Sequence, residues 1–196
     1  MIHQAVEIIR SGGVIAYPTD SAYALGCHIG DKAALDCIRR IRRLDERHNF
    51  TLVCRDLSDI GTYARVSNQT YRLIRGVTPG PFTFILPATR EVPRRLVHPK
   101  RKTIGLRVPD NAICQALLAD LGEPLMSSTL ILPGDDRPLT DPAEIRRILQ
   151  NELSLVIDGG YCGLEPTTVV SFEEEIPQLE RSGLGDARLL GLEPVS

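Results

Sequence analysis

Short apolar runs bounded by Gly, Pro or hydroxyl residues alternate along this chain with segments whose apolar residues recur at helical spacing. That alternation constrains the fold more than any other feature, because strands joined through helices must build a sheet with helices packed on it. Residues 2–11 carry Ile2, Ala5, Val6, Ile8 and Ile9 on one helical face, and Gly12-Gly13 end that helix. Val14-Ile15-Ala16-Tyr17 then reads as a buried strand stopped by Pro18. Asp31 is placed to cap a second helix carrying Ala34, Leu35, Ile38 and Ile41. Further strands are expected at 50–54, 82–86, 103–108, 125–129, 153–157, 167–172 and 176–181. Helices are expected near 67–76, started by Ser67 or Asn68, then over 112–121 behind Pro109-Asp110, and from Asp141-Pro142 with Pro at the first helical position. The expected architecture is α/β: three layers, an open mixed β-sheet flanked by helices, in one domain over 1–186. Residues 187–196 read as a loosely ordered tail.

A chain of 196 residues with 42% apolar content can build a full core without a disulfide or metal staple. Its five cysteines (Cys27, Cys37, Cys54, Cys114, Cys162) are odd in number and form no C-x-x-C pair, which points to reduced thiols in a cytoplasmic protein and away from zinc. The four histidines are scattered, so no metal site is expected. Neither a secretory signal nor an apolar run of membrane-spanning length is visible. The net charge of −2 hides an asymmetry: residues 1–107 hold 18 Lys/Arg against 9 Asp/Glu, and residues 108–196 hold 5 against 16. The basic half suggests a surface for an anionic ligand.

Phosphate-loop, dinucleotide, zincin and nucleophile-elbow motifs are all missing. What recurs is a small hydroxyl cluster at the end of a strand: Thr19-Asp20-Ser21, Ser127-Ser128-Thr129 and Thr167-Thr168. The first cluster would equally serve as a turn after Pro18 that caps the next segment. Alongside stand Arg42 or Arg43, Arg107 on its strand, and Arg181 just before Ser182-Gly183. Guanidinium forks hold carboxylate or phosphate, and hydroxyls donate to the remaining oxygens. If these groups converge, the site works by positioning and charge neutralisation and needs no catalytic nucleophile.

The motifs in order resemble those of the YrdC/YciO family. Ala16-Tyr17-Pro18-Thr19-Asp20-Ser21-x-Tyr23-x-Leu25-Gly26 is similar to its Y-P-T-[ED]-[ST]-x-Y-G-L-G signature, and Pro79-Gly80-Pro81-Phe82-Thr83 to its P-G-P-x-T turn. Thr103–Pro109 resembles its arginine-bearing strand, Pro166–Val170 its P-S-T-[VI]-[VI] strand, and Arg181-Ser182-Gly183 its R-x-G. The resemblance covers about 15–183 and implies the YrdC/RibB-like fold, a twisted sheet with a concave basic face. Its best-known members make threonylcarbamoyl-AMP from L-threonine, bicarbonate and ATP for tRNA t6A modification, a nucleotidyltransferase reaction that releases pyrophosphate. It implies L-threonine contacts at Thr19, Arg107, Ser127 and Thr167, and nucleotide contacts at Arg42, His48, Thr103, Thr129 and Arg181. No tightly bound cofactor is implied; Mg²⁺ would arrive with ATP, held through phosphate oxygens.

Two departures mark the YciO branch. Where the synthases carry K-x-R-P this chain has Arg42-Arg43-Leu44-Asp45, and where they carry S-x-N it has Thr129-Leu130-Ile131. One cation and one amide are lost, and synthase turnover is expected to fall. The alternative reading is a non-enzymatic protein of translation that binds double-stranded RNA or tRNA. It rests on the basic runs 39–47 and 90–102, with Arg39, Arg43, Arg94, Arg95, Lys100, Arg101 and Lys102 as phosphate contacts. Fold kinship with an unrelated ligand is a third reading.

Overall fold

The computed structural model describes residues 1–45 and 48–194. Helix α1 (Ile2–Arg10) leads into β1 (Ile15–Tyr17) and β2 (Ala24–His28). Then come α2 (Lys32–Arg42), β3 (Thr51–Val53), α3 (Leu57–Tyr63), α4 (Asn68–Val77), β4 (Phe82–Pro87) and β5 (Thr103–Arg107). The chain finishes through α5 (Ala112–Leu121), β6 (Leu125–Thr129), α6 (Pro142–Leu149), β7 (Leu155–Val156), β8 (Thr168–Ser171) and β9 (Gln178–Arg181). The caps are those the side chains allow. Asp31 accepts from the Ala34 N–H, Ser67 from Thr70, and Asp141 from Ala143 with Pro142 at the helix start. Helix α5 differs from expectation at one point, since Asn111 and not Asp110 caps it, accepting from the Ile113 and Cys114 N–H groups.

Among the described residues the strands form one mixed sheet in the order β7-β1-β2-β6-β3-β5-β4-β8-β9. Strands β1 and β7, β3 and β5, and β4 and β8 run parallel; the other neighbours are antiparallel. Period-2 alternation sorts the side chains onto two faces. One face is covered along its length, with Ala16, Leu25, Leu52, Leu106, Phe84 and Val170 packed against the apolar sides of α2, α3, α4 and α6. The other is covered only over β1, β2, β6 and the end of β3, where Ile15, Tyr17, Ala24, Leu125 and Val53 meet α1 and α5. Beyond that, this face carries Thr51, Thr83, Ile85, Gly105, Arg107 and Val169 as cleft-lining strand residues, and no helix of the described residues covers them. The half-covered sheet is therefore what creates a cleft.

The sequence pattern does not predict two elements that the fold contains, β2 and α3. The segment expected to trail loosely after Gly185 instead docks. Residues 187–190 form a 3-10 turn started by Asp186, with Ala187 and Leu190 buried, and the turn lies against α4. No helix of the described residues is long and apolar enough to cross a membrane.

Candidate functional site

The cleft has a volume of about 320 Å³ and reaches from β6 across β5 to β8 and β9. Its floor is Gly105, where an added Cβ would come within 2.8 Å of Thr51 Oγ1. Arg107, last in β5, turns its side chain onto the uncovered face and is 7% exposed. Its Nη2 donates to the Asp20 carboxylate and its Nη1 to Ser21 Oγ at 3.3 Å. Asp20 in turn accepts from the Asp110 N–H at 2.9 Å. A guanidinium clamped this way is oriented before any ligand arrives, while its Nε is buried without a hydrogen-bond partner among the described residues. Asp20 thus serves as the anchor of Arg107.

Arg181, at the end of β9, reaches the same space. It donates from Nε and Nη2 to the Thr167 carbonyl at 3.2 and 2.8 Å, and from Nη2 to Thr167 Oγ1 at 3.2 Å. Burial, and secondarily the Arg107 charge, hold its pKa below the usual guanidinium value. Thr167 Oγ1 lies 2.8 Å from Thr83 Oγ1. Gly183 makes this corner possible, since a Cβ there would meet the Pro166 carbonyl at 2.4 Å. On the opposite wall Arg42, the last residue of α2, donates to the Ile131 carbonyl at 3.2 Å and to Ser128 Oγ at 2.6 Å. Burial lowers its pKa as well. His48 sits beside it, its ring edge-on to Phe50 at 5.5 Å. Burial, and then the charge of Arg42, push the His48 pKa down to about 4, so the imidazole is neutral at physiological pH.

Of the nine ligand contacts expected from the sequence, seven line the cleft: Arg42, His48, Arg107, Ser127, Thr129, Thr167 and Arg181. Thr19 and Thr103 do not line it. The Thr19 hydroxyl accepts from the Ser21 and Ala22 N–H groups at 3.1 Å each and donates to the Ala22 carbonyl at 2.6 Å, so its hydrogen-bonding capacity is spent on its own turn. Thr103, two residues before Gly105 on the same face of β5, is buried, and its hydroxyl has no hydrogen-bond partner among the described residues. Ser21 and Thr83 also line the cleft and are not among the nine contacts expected from the sequence. For Ser21 the signal was its place two residues beyond Thr19, on the open side of the same turn.

The family model described as Telomere recombination, covering Sua5, YciO and YrdC, matches residues 7–183. The chain belongs to the Sua5/YciO/YrdC family. It is 55% identical over 188 residues to the Escherichia coli (strain K12) protein YciO, a match that spans 96% of this chain and 91% of that protein. The crystal structure of E. coli YciO superposes with a TM-score of 0.93, covering 96% of this chain and 92% of the other. A threonylcarbamoyl-AMP synthase from Halorhodospira halophila is 31% identical over 169 residues, 86% of this chain and 87% of the synthase. P. abyssi Sua5, whose crystal structure was solved in complex with L-threonine, shares the fold at a TM-score of 0.85 and 24% identity, over 93% of this chain and 54% of that one.

Within the Sua5/YciO/YrdC frame the two departures take different places. Ile131 lines the cleft next to Arg42, while Leu44 packs against the large apolar cluster. The seven basic residues read as RNA contacts all lie outside the cleft. Arg39 pairs with Asp36 at 3.5 Å and stacks its guanidinium over Phe50. Arg43 closes α2 in the left-handed conformation. Arg94, Arg95, Lys100, Arg101 and Lys102 are exposed on the β4–β5 connection, where Arg95 donates to the Gly30 carbonyl and Arg101 pairs with Glu173 at 2.9 Å. Arg47, part of the first basic run, is outside the described residues. Among the described residues no group of His, Cys, Asp and Glu is arranged to hold a metal, and all five cysteines are free thiols.

Proposed function

We propose that the cleft binds L-threonine and ATP and supports a slow threonylcarbamoyl-AMP synthase reaction. The observation that carries this reading is the convergence of Arg42, Arg107 and Arg181 with the hydroxyls of Ser21, Ser127 and Thr167 on one cleft that presents no cysteine or lysine nucleophile. In the reaction the threonine amine adds to bicarbonate with loss of water, giving a carbamate. A carbamate oxygen then attacks the α-phosphorus of ATP, and pyrophosphate leaves as that P–O bond breaks. Each step moves negative charge, which fixed guanidinium groups stabilise at little reorganisation cost. Arg107, with Ser21 and Ser127, suits the threonine end, and Arg42, Thr129 and Arg181 suit the phosphates. The carboxylate among the lining residues, Glu180, stands next to Arg181, so Mg²⁺ would enter as part of the MgATP substrate. The synthase relative from H. halophila supports the reaction class.

The test is threonine-dependent release of pyrophosphate from ATP and bicarbonate, by wild type and by a Leu44→Arg/Ile131→Asn double variant whose folding is checked by circular dichroism. Slow turnover by wild type, raised tens-fold or more when the missing cation and amide are restored, is the expected result. Silence from both folded proteins overturns the reading.

The exposed β4–β5 connection favours a second reading, phosphate contacts to double-stranded RNA or tRNA through Arg94, Arg95, Lys100, Arg101 and Lys102. Such binding must weaken steeply with salt. Retention that ignores salt between about 50 and 200 mM, or that survives replacing these five residues by Ala, excludes it.

A further inference from the structure

Tyr17 belongs to the family's signature stretch, yet its side chain does not enter the cleft. The ring is completely buried on the face covered by α1 and α5. It starts from β1 and ends on β6, two strands away, where its hydroxyl oxygen lies 2.6 Å from Ser127 Oγ. Between them runs β2, and the residue of β2 beneath the ring is Gly26, registered opposite Ile15 on one side and Ser127 on the other. A Cβ on Gly26 would meet Tyr17 Cε1 at 2.8 Å and Leu125 Cδ2 at 2.6 Å. The glycine is thus a window through which the tyrosine crosses one strand to reach the next.

The direction of the bond follows from what each hydroxyl can do. Burial pushes the Tyr17 pKa up, so the phenol keeps its proton. Ser127 Oγ is its one hydrogen-bond partner among the described residues. If Ser127 donated to Tyr17, the phenol proton would be left buried without an acceptor, which folded proteins avoid. If Tyr17 donates, its proton is satisfied and the Ser127 proton is released toward the cleft that Ser127 lines. We infer that Tyr17 is a positioning residue, donating to Ser127 so that the serine presents its own O–H as a directed donor to an oxygen of the bound ligand. A directed donor suits an anionic oxygen, such as a carboxylate, and the inference rests for its ligand on the threonine reading given above.

The experiment is a double-mutant cycle on L-threonine affinity, measured by calorimetry for wild type, Tyr17→Phe, Ser127→Ala and the double variant. It is combined with NMR observation of the Tyr17 hydroxyl through the deuterium isotope shift of its ring Cζ. Tyr17→Phe keeps the ring in its window and removes only the proton. It is expected to weaken threonine about three- to tenfold in the wild-type background and to have no effect once Ser127 is Ala. A merely structural role would instead lower affinity equally in both backgrounds. The double variant removes donor and acceptor together, so it folds even if Ser127→Ala alone suffers from an orphaned phenol. An unchanged affinity in Tyr17→Phe, or a loss that adds in full to that of Ser127→Ala, overturns the inference. If wild type does not bind L-threonine, the ligand reading fails and the NMR signal decides alone. A Tyr17 proton held in a hydrogen bond that vanishes in Ser127→Ala upholds the polarity, and a phenol acting only as acceptor overturns it.

Discussion

Thr19 and Ser21 stand two residues apart in one turn and have opposite duties. Thr19 closes the turn with three hydrogen bonds of its own, whereas Ser21 turns its hydroxyl to Arg107 and the cleft. Thr19→Val, isosteric but without the hydroxyl, strands two backbone N–H groups and is expected to lower stability by about 1–3 kcal/mol in urea unfolding. Ser21→Ala leaves those bonds in place; it is expected to shift stability by less than about 0.5 kcal/mol while weakening threonine binding measured by calorimetry. The reverse pattern would return Thr19 to the ligand. At this scale the sequence offered the right chemistry and could not apportion it. Hydroxyls at strand ends and arginines nearby were readable from residue types alone, and seven of the nine expected contacts do share the cleft. Which hydroxyl is consumed by its own backbone depends on the turn's conformation, and for that reason Thr19 and Ser21 were not told apart.

At the scale of elements, the strands rich in β-branched and aromatic residues were readable, β4 and β8 above all. Strand β2 was not, because Ala24-Leu25-Gly26-Cys27-His28 contains no β-branched residue and has a glycine at its centre. The structure supplies the reason for that glycine, since β2 gives up a side chain to let Tyr17 pass. Gly26→Ala is therefore expected to cost about 1–3 kcal/mol by overpacking, read as a lower urea midpoint at unchanged slope. A midpoint equal to wild type would mean the ring is not held in its window. Helix α3 escaped for a related reason: seven residues with Gly61 inside and Ile60 as the buried anchor make no periodic stripe.

Across the whole molecule the uneven helix cover of the sheet decides where chemistry can occur. Helices cover one face along its length and the other by half, and the uncovered half sets Thr51, Thr83, Gly105 and Arg107 beside Ile85 and Val169, a mixture that a helix-covered face does not carry. The charge asymmetry along the chain does not become a division in space, because β6, β7, β8 and β9 of the acidic half interleave with β1 to β5 of the basic half. The cleft accordingly takes Arg42 and Arg107 from one half and Arg181 from the other, an arrangement that residue order could not reveal. Of the two departures only Ile131 lines the cleft, beside Arg42, and Leu44 packs against the apolar cluster, so the Arg107–Arg181 corner is left intact. Threonine recognition should then survive even where turnover is slow. The most direct measurement is a crystal structure of the protein grown with saturating L-threonine and a non-hydrolysable MgATP analogue. The account predicts threonine density against Arg107, Ser21 and Ser127, with phosphates toward Arg42 and Arg181. A cleft filled only by solvent under those conditions, or threonine bound elsewhere, would contradict it.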